Sequence, residues 1–374
     1  IVKMKHERKL AKLRKCVKQL EMEKDNSHWD DTLVALLEGV GEIDEKIMRS
    51  VLQQQWDYLR LCKNNAQEVY ENEVAQISLP VVRRIFDDFP IRNLVGVQPI
   101  SKLVDTVYSL EYRYEDVETD ELITYEEFAS LPKSKNPFHL SHKLTMQIVE
   151  NDVEAGSRKL NAIYTPIKES DLVHAFGLNI QCEKTQALAQ EMRQDITDEV
   201  LCDLKALGGE PEEVSLESDT AEQINTLVCR IRANTSAIAQ ATRRGHGNWI
   251  VVSKAMANLL SKDKTINIEI KDDYKSKRSE MLEVGTLSDV VRIFVANVPD
   301  DEILIGYKGT NSETDTGYFY CPHTALMSGG YSICPASFKE MMVFHSRYGK
   351  FTTENVKAYY RNIKVVGDVL VKKE

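Results

Sequence analysis

The chain of 374 residues carries 48 Lys and Arg against 58 Asp and Glu, a net charge of −10 with a sequence pI near 5.5. That balance argues against a dedicated nucleic-acid binder, whose surface is normally basic enough to displace counterions from phosphate. With 42% hydrophobic and 28% charged residues, the composition is that of an ordinary globular protein with room for more than one core, neither a disordered tail nor a fibre.

No window approaches the roughly 18 to 20 uncharged apolar residues that a bilayer crossing needs. The opening IVKMKHERKLAKLRK is too charged to hold the apolar stretch of a secretory signal. A start at Ile1 rather than Met implies either that leading residues are missing or that a propeptide has been cut away. Residues 1–24 hold nine basic side chains against Glu7, Glu21 and Glu23, a local charge of 9 − 3 = +6, which leaves −16 on the rest. Leu10, Leu13, Val17 and Leu20 recur at helical spacing within this stretch and predict an amphipathic basic arm. Its reading is a helix packed on a neighbouring subunit, with contact to an internal polyanion as the alternative.

Residues 30–70 contain no Pro, and their apolar positions fit a 3.6 period, which predicts mostly helix. A further helix is expected in SLPVVRRIFDDF (78–89), with Ser78 to cap it, Pro80 in its first turn and Pro90 to end it. Helices strung in a line with little β pattern predict an extended arm that packs on something else. From 95 the texture changes. Residues 104–114 alternate as a strand does, EDVETDELITYEEF and the Pro-containing stretch behind it read as a long exposed excursion, and MQIVENDVEAGSRKLNAIYTP returns as strand.

The clearest helix is 180–207, closed by Gly208 and Gly209; at about 1.5 Å per residue it spans close to 40 Å. A second helix is expected over 220–244, ending at Gly245. Beyond it the chain reads as short strands: 248–253, 290–298, 302–309, 317–326, 340–349 and 359–367. The fold class is α+β with a long central helix, and no repeat or low-complexity tract interrupts it.

Chemistry is thin. RRGHGN (243–248) and GYKGT (306–310) lack the further glycines or the Gly-Lys-Ser/Thr ending of a nucleotide loop and read as turns. His139 with His142, and Cys321 with His323, lack the additional ligands of a metal site. Seven cysteines (Cys16, Cys62, Cys182, Cys202, Cys229, Cys321, Cys334) include no C-x-x-C pair and read as reduced thiols rather than a disulfide framework. No nucleophile elbow or spaced carboxylate pair appears, and the dense run Glu115, Asp116, Glu118, Asp120, Glu121 reads as a solvated face. The expectation is a non-enzymatic chain with no catalytic, cofactor-binding or metal-binding residues.

Several segments nevertheless occur together in a telling order: LPVVRRIFDDFPIRNLVGVQPI (79–100), SRKLNAIYTPIKESDLVHAFGLN (157–179), EMRQDITDEVL (191–201), ATRRGHGNWIVVS (241–253), ILIGYKGTNSETDTGYFYCPHTAL (303–326) and SRYG (346–349). Over roughly 79–349 the chain resembles the major capsid protein of T-even-type tailed phages.

That resemblance implies the Hong Kong-type phage capsid fold: an N-terminal helical arm over 1–92, an extended loop over 93–165, a peripheral domain over 166–236 around a spine helix at 180–207, and an axial domain with returning peripheral strands over 237–374. Only a short stretch separates Tyr112 from Ser157, so the insertion domain that relatives carry there is expected to be reduced or absent. The implied function is self-assembly into the icosahedral or elongated head shell around double-stranded DNA. A pentameric vertex paralogue is the nearest alternative, and an unrelated enzyme or nucleic-acid-binding protein the distant one. The implied partners are copies of itself in hexameric and pentameric capsomers; vertex, portal, scaffold and decoration proteins; a prohead protease that removes an N-terminal propeptide; and packaged DNA through weak non-specific contact. No membrane is involved, and the implied location is the virion, assembled in the bacterial cytoplasm.

Overall fold

A computed structural model describes residues 29–38, 40, 42–64, 79, 82–83, 85–86, 89–116, 122–123, 142–164, 180–217, 220–263, 266–268, 281–288, 290–309, 312–333 and 340–367. The expected basic helix of residues 1–24 and His139 lie outside these.

The helices expected over 30–70 are α1 (Trp29–Leu37) and α2 (Glu42–Asn64). On α1, Trp29, Leu33, Leu36 and Leu37 are buried, and on α2, Met48, Val51, Leu52 and Leu59, spacings that put one stripe of each helix inward. The Trp29 and Trp56 rings stack at 4.7 Å, and the Trp29 indole N–H donates to Gln53 Oε1 at 2.7 Å. These helices belong to the main core of the chain rather than to a free arm, and α2 packs on strand β12 (Tyr318–Ile333). Here the expectation of an extended arm is corrected. Helix-period patterning shows that a face is buried, but not whose core buries it. In the 78–89 segment the described residues 79, 82–83 and 85–86 are helical, and a short 3-10 turn, Pro90–Asn93, follows.

After β1 (Gly96–Val97), the chain leaves the body along β2 (Val104–Asp116) and returns along β4 (His142–Glu154). The two pair antiparallel without a break from Val104↔Glu154 to Asp116↔His142, with β3 (Leu122–Ile123) beside the far end. The strands on either side of the expected excursion thus form a long two-stranded ribbon, and most of the excursion itself, 117–121 and 124–141, lies outside the described residues. β5 (Gly156–Tyr164) then turns onto β13 (Glu340–Thr352), completing a four-stranded sheet in the order β1-β12-β13-β5.

Helix α3 (Ile180–Leu207) has the bounds read from the sequence, and Gly209 beyond it adopts φ +73, the left-handed backbone that glycine tolerates best. Met192, Ile196, Val200, Leu201 and Leu204 form its buried stripe. Helix α4 (Ala221–Thr242) ends not on a glycine but on Arg243, itself left-handed at φ 53. α4 packs on β11 (Glu302–Gly306) and β14 (Tyr360–Val366) and runs across the boundary expected at 236/237.

The second body is a seven-stranded mixed sheet, ordered β6-β14-β11-β7-β10-β9-β8. Its centre is β7 (Trp249–Val252), buried at every position between parallel β10 (Val291–Val295) and antiparallel β11. Such a strand reads as an unbroken apolar run because both faces are covered. The edges are β6 (Glu212–Ser215) and β8 (Ile266–Ile268), with β9 (Leu282–Leu287) next to the latter. A short α5 (Lys254–Leu260) follows β7, its first turn capped by Ser253 Oγ accepting from the Met256 N–H at 3.1 Å.

Candidate functional site at the base of the ribbon

The ribbon meets the body through a small apolar cluster and a dense polar hub. The apolar part is Ile100, Val107, Val153, Phe319 and Cys321. The polar part is built by residues 307–309 and 312–317, which follow β11 and are held together by a bridge between Lys308 and Thr316 and by the Gly309 N–H donating to the Asp315 carbonyl at 2.8 Å.

Glu313 is the hinge pin of this loop. Its carboxylate accepts from Lys308 Nζ at 2.8 Å, from the Val97 N–H at 2.9 Å and from Arg92 Nε at 3.3 Å. Lys308 Nζ also donates to the Arg92 carbonyl at 2.6 Å. Burial holds the Lys308 ammonium below its usual range, and the Glu313 carboxylate opposes that shift. Arg292 reaches the same region from β10, donating to Asn93 Oδ1 at 2.9 Å and to the Asn93 carbonyl at 3.2 Å. Asn248, just before β7, bonds both backbone groups of Lys308, at 2.6 and 3.1 Å.

Arg244 couples this loop to the ribbon. Its side chain is 4% exposed, pairs with Asp315 and donates to the Leu110 carbonyl on β2, while its guanidinium lies 5.7 Å from the centre of the Tyr359 ring. The Tyr307 hydroxyl donates to the second Asp315 oxygen at 3.1 Å. The ribbon backbone is held twice more: the Leu110 N–H donates to the Thr314 carbonyl at 3.0 Å, and the Gln98 amide both donates to the Tyr108 carbonyl at 2.6 Å and accepts from the Tyr108 N–H at 3.0 Å. Three elements distant in sequence therefore fix the direction in which the ribbon leaves the body.

A second polar cluster fastens α3 to the long hairpin β12–β13. The Tyr318 hydroxyl and Lys350 Nζ both reach Asp203, each at 2.7 Å, and Lys350 and Tyr348 both reach Glu199. Burial, and then the Asp203 carboxylate, raise the Tyr318 phenol far above its usual range.

RRGHGN joins α4 to β7 and supplies Arg244 and Asn248 to the hub; in GYKGT, Gly306 ends β11, and Tyr307 and Lys308 enter the hub, with Lys308 in the bridge to Thr316 rather than in a turn. Cys321 is fully buried, with its thiol pushed up to about 12 by burial, so it behaves as a core group rather than a ligand. His323 Nδ1 lies 2.7 Å from Thr324 Oγ1; burial and then Arg347 lower its pKa, and Asp105 partly opposes them. Among the described residues no group of three or more His, Cys, Asp or Glu is placed to hold a metal ion. No described helix is long and apolar enough to cross a membrane.

Residues 127–373 match the family model of the major capsid protein Gp23. The chain belongs to this family. The matched span contains Arg244, Asn248, Arg292, Lys308, Glu313 and Asp315, so most of the hub lies within the part of the chain that defines the family, whereas Arg92 and Gln98 precede it. The major capsid protein of Enterobacteria phage T6 is 27% identical over 239 residues, covering 57% of this chain and 47% of the relative; that of phage T4 is 27% identical over 239 residues, covering 57% and 45%. The chain thus spans about half the length of the relatives it matches. Among solved structures, the capsid of Myoviridae phage XM1 aligns with a TM-score of 0.38 at 12% identity, over 72% of this chain and 90% of that one.

Proposed function

We propose that the chain is the repeating subunit of a tailed-phage head shell and acts by self-assembly, with double-stranded DNA enclosed and no catalysis of its own. The observation that carries the proposal is the anchored ribbon. A two-stranded ribbon is marginal alone in water, yet here its base is locked by a buried charged hub, as a lever that contacts other copies requires. Repeated contacts around local six-fold and five-fold axes multiply modest interface energies when the shell closes.

Within this reading, the four-stranded sheet with α3 is the peripheral part, the seven-stranded sheet with α4 the axial part, and the 104–154 ribbon the extended loop. The implied partners are further copies in hexamers and pentamers, with vertex, portal, scaffold and decoration proteins, and a prohead protease acting before DNA fills the shell. The acidic body suits a wall along which packaged DNA slides without sticking. Electron microscopy of the purified chain tests the proposal: sheets, tubes or shells support it, and a persistent monomer under assembly conditions contradicts it.

A further inference from the structure

Strand β12 is long, and much of its outer edge has no strand beside it. On one side it pairs with β13; on the other, β1 reaches it at Phe319 and Tyr320, and the Gln98 and Ile100 N–H groups extend that pairing to the Tyr320 and Pro322 carbonyls at 3.1 and 3.0 Å. There the chain turns away into the ribbon, and from Thr324 to Ile333 no described strand adjoins this edge. Helix α2 packs there instead. Gln55 is fully buried and meets both backbone groups of Leu326, a residue without a partner in the β13 register. A side-chain amide carries the same donor and acceptor as a peptide group, so Gln55 fills the place of a strand residue. Ala325 and Leu326 share one core with Leu52 and Leu59 of α2, and Asp44 in the first turn of that helix pairs with Arg92 of the hub.

An unpaired strand edge is a template for another chain, and proteins commonly blunt such edges with charge. The outer strands β5 and β6 follow that rule, with Arg158 and Lys159 on one and Glu212 and Glu213 on the other. β12 does not. Between Asp315 and Lys339 the sequence holds no Lys, Arg, Asp or Glu, and β12 lies wholly inside that stretch. With no charge to act as gatekeeper, closing this edge falls to a cover, and the cover is α2. We infer that the β12 edge from Thr324 to Ile333 is a pairing surface for the same edge of a second copy, and that α2, clipped by Gln55, holds it shut. The partner follows from the composition. An uncharged strand offers no sign of charge for a foreign sequence to match, whereas its own copy, run antiparallel about a two-fold axis, makes every contact twice. Such pairing would draw subunits off as edge-to-edge dimers, and the guard prevents it.

The inference goes beyond the assembly reading, and shell formation is not its readout. Full-length wild type and Gln55→Leu are compared by sedimentation velocity at dilutions where wild type is monomeric, with hydrogen exchange followed along 324–333. Gln55→Leu is expected to dimerise about tenfold more tightly than wild type or better, with protection of 324–333 rising as the chain is concentrated. Adding Met327→Lys, which sets a charge beside its own copy, is expected to abolish both effects. Should either variant fail to fold, wild type in urea just below its unfolding midpoint is mixed with a peptide of residues 324–333 carrying a lysine tag. That peptide is expected to bind and to slow exchange at Leu326, and a scrambled peptide to do neither. A folded Gln55→Leu chain that stays monomeric overturns the inference, as does a dimer whose 324–333 amides exchange as freely as the monomer's. Dimerisation undiminished by Met327→Lys, or a peptide that binds no better than its scrambled form, overturns it too. Each of these results leaves the assembly reading standing, and a wild-type chain that forms no shells leaves this inference standing.

Discussion

The side-chain amide of Gln55 on α2 stands in for a missing strand: it donates to the Leu326 carbonyl of β12 at 2.6 Å and accepts from the Leu326 N–H at 3.1 Å. Gln55 is fully buried, so neither backbone group of Leu326 has water as an alternative. β1 pairs with β12 only at Phe319 and Tyr320, and beyond them Gln55 closes the edge at Leu326. Replacing Gln55 with Leu keeps the volume and removes both bonds. A loss of about 3 kcal/mol in urea unfolding is expected, since each stranded buried group costs roughly 1–3 kcal/mol. Faster hydrogen exchange at Leu326 should accompany it; an unchanged midpoint would show that α2 does not seal this edge.

Arg244→Ala removes the cation paired with Asp315, leaving the Tyr307 hydroxyl on that carboxylate, and frees the Leu110 carbonyl. Loss of one partner of a buried ion pair costs about 3–5 kcal/mol, and unfolding by denaturant reads it directly. Arg244→Lys keeps the charge but cannot hold both partners with a planar fork. It is expected to leave the main core intact while raising hydrogen exchange along 104–110 and broadening the size distribution of assembled particles. Equal exchange along that strand in wild type and variant would contradict the role given to the hub.

The turn into the ribbon is tied by Asp105, whose carboxylate accepts from the Ser101 N–H at 2.7 Å, the Ser101 hydroxyl at 2.8 Å and the Thr106 N–H at 3.0 Å. Burial would raise its pKa, but these bonds and one from the Lys102 N–H outweigh it and hold the carboxyl below the usual 3.8. A lowered folded-state pKa contributes stability that is present above the unfolded value and lost as pH falls through the folded one. Asp105→Asn is therefore expected to cost about 1 kcal/mol at neutral pH, as loss of a comparable cap does, with the difference from wild type shrinking below pH 4. A difference that is the same at pH 7 and pH 3 would refute the charge-based account.

Cysteine labelling separates core from surface. Cys202 on α3 and Cys229 on α4 are exposed, whereas Cys321 is buried and its thiol is pushed up to about 12. Maleimide at pH 8 on the unassembled native chain is expected to modify Cys202 and Cys229 within minutes and Cys321 only after unfolding, as peptide mass mapping resolves. Comparable native labelling of Cys321 would mean that the cluster at the ribbon base is not packed.

Local pattern carried much of the architecture. The 180–207 helix announced itself by a run without Gly or Pro closed by two glycines, and the ribbon by alternation on either side of a polar excursion. β6 and β9 escaped notice because neither carries a strand's apolar signature: EEVS is an acidic edge segment, and LEVGTL has Glu and Gly where a continuous apolar run would sit. The placement of α1 and α2 was not legible either, since their partner β12 lies 271 residues along the chain from Gln55.

The hub was invisible for a similar reason. Arg244, Glu313 and Asp315 are ordinary charged residues in ordinary turns, and only the fold sets them against Leu110, Val97 and Lys308. The one signal available was their inclusion in the ATRRGHGNWIVVS and ILIGYKGTNSETDTGYFY segments, which carry the family resemblance without saying what the side chains do.

On the proposed function, the chain builds a shell by extending the anchored ribbon over its neighbours. A cryo-electron microscopy reconstruction of particles formed by the purified chain measures that directly. Closed or tubular lattices are expected in which each ribbon of β2 and β4 crosses a subunit boundary and lies against an adjacent copy. Particles in which the ribbon folds back on its own subunit, or a chain that stays monomeric under all assembly conditions, would contradict it.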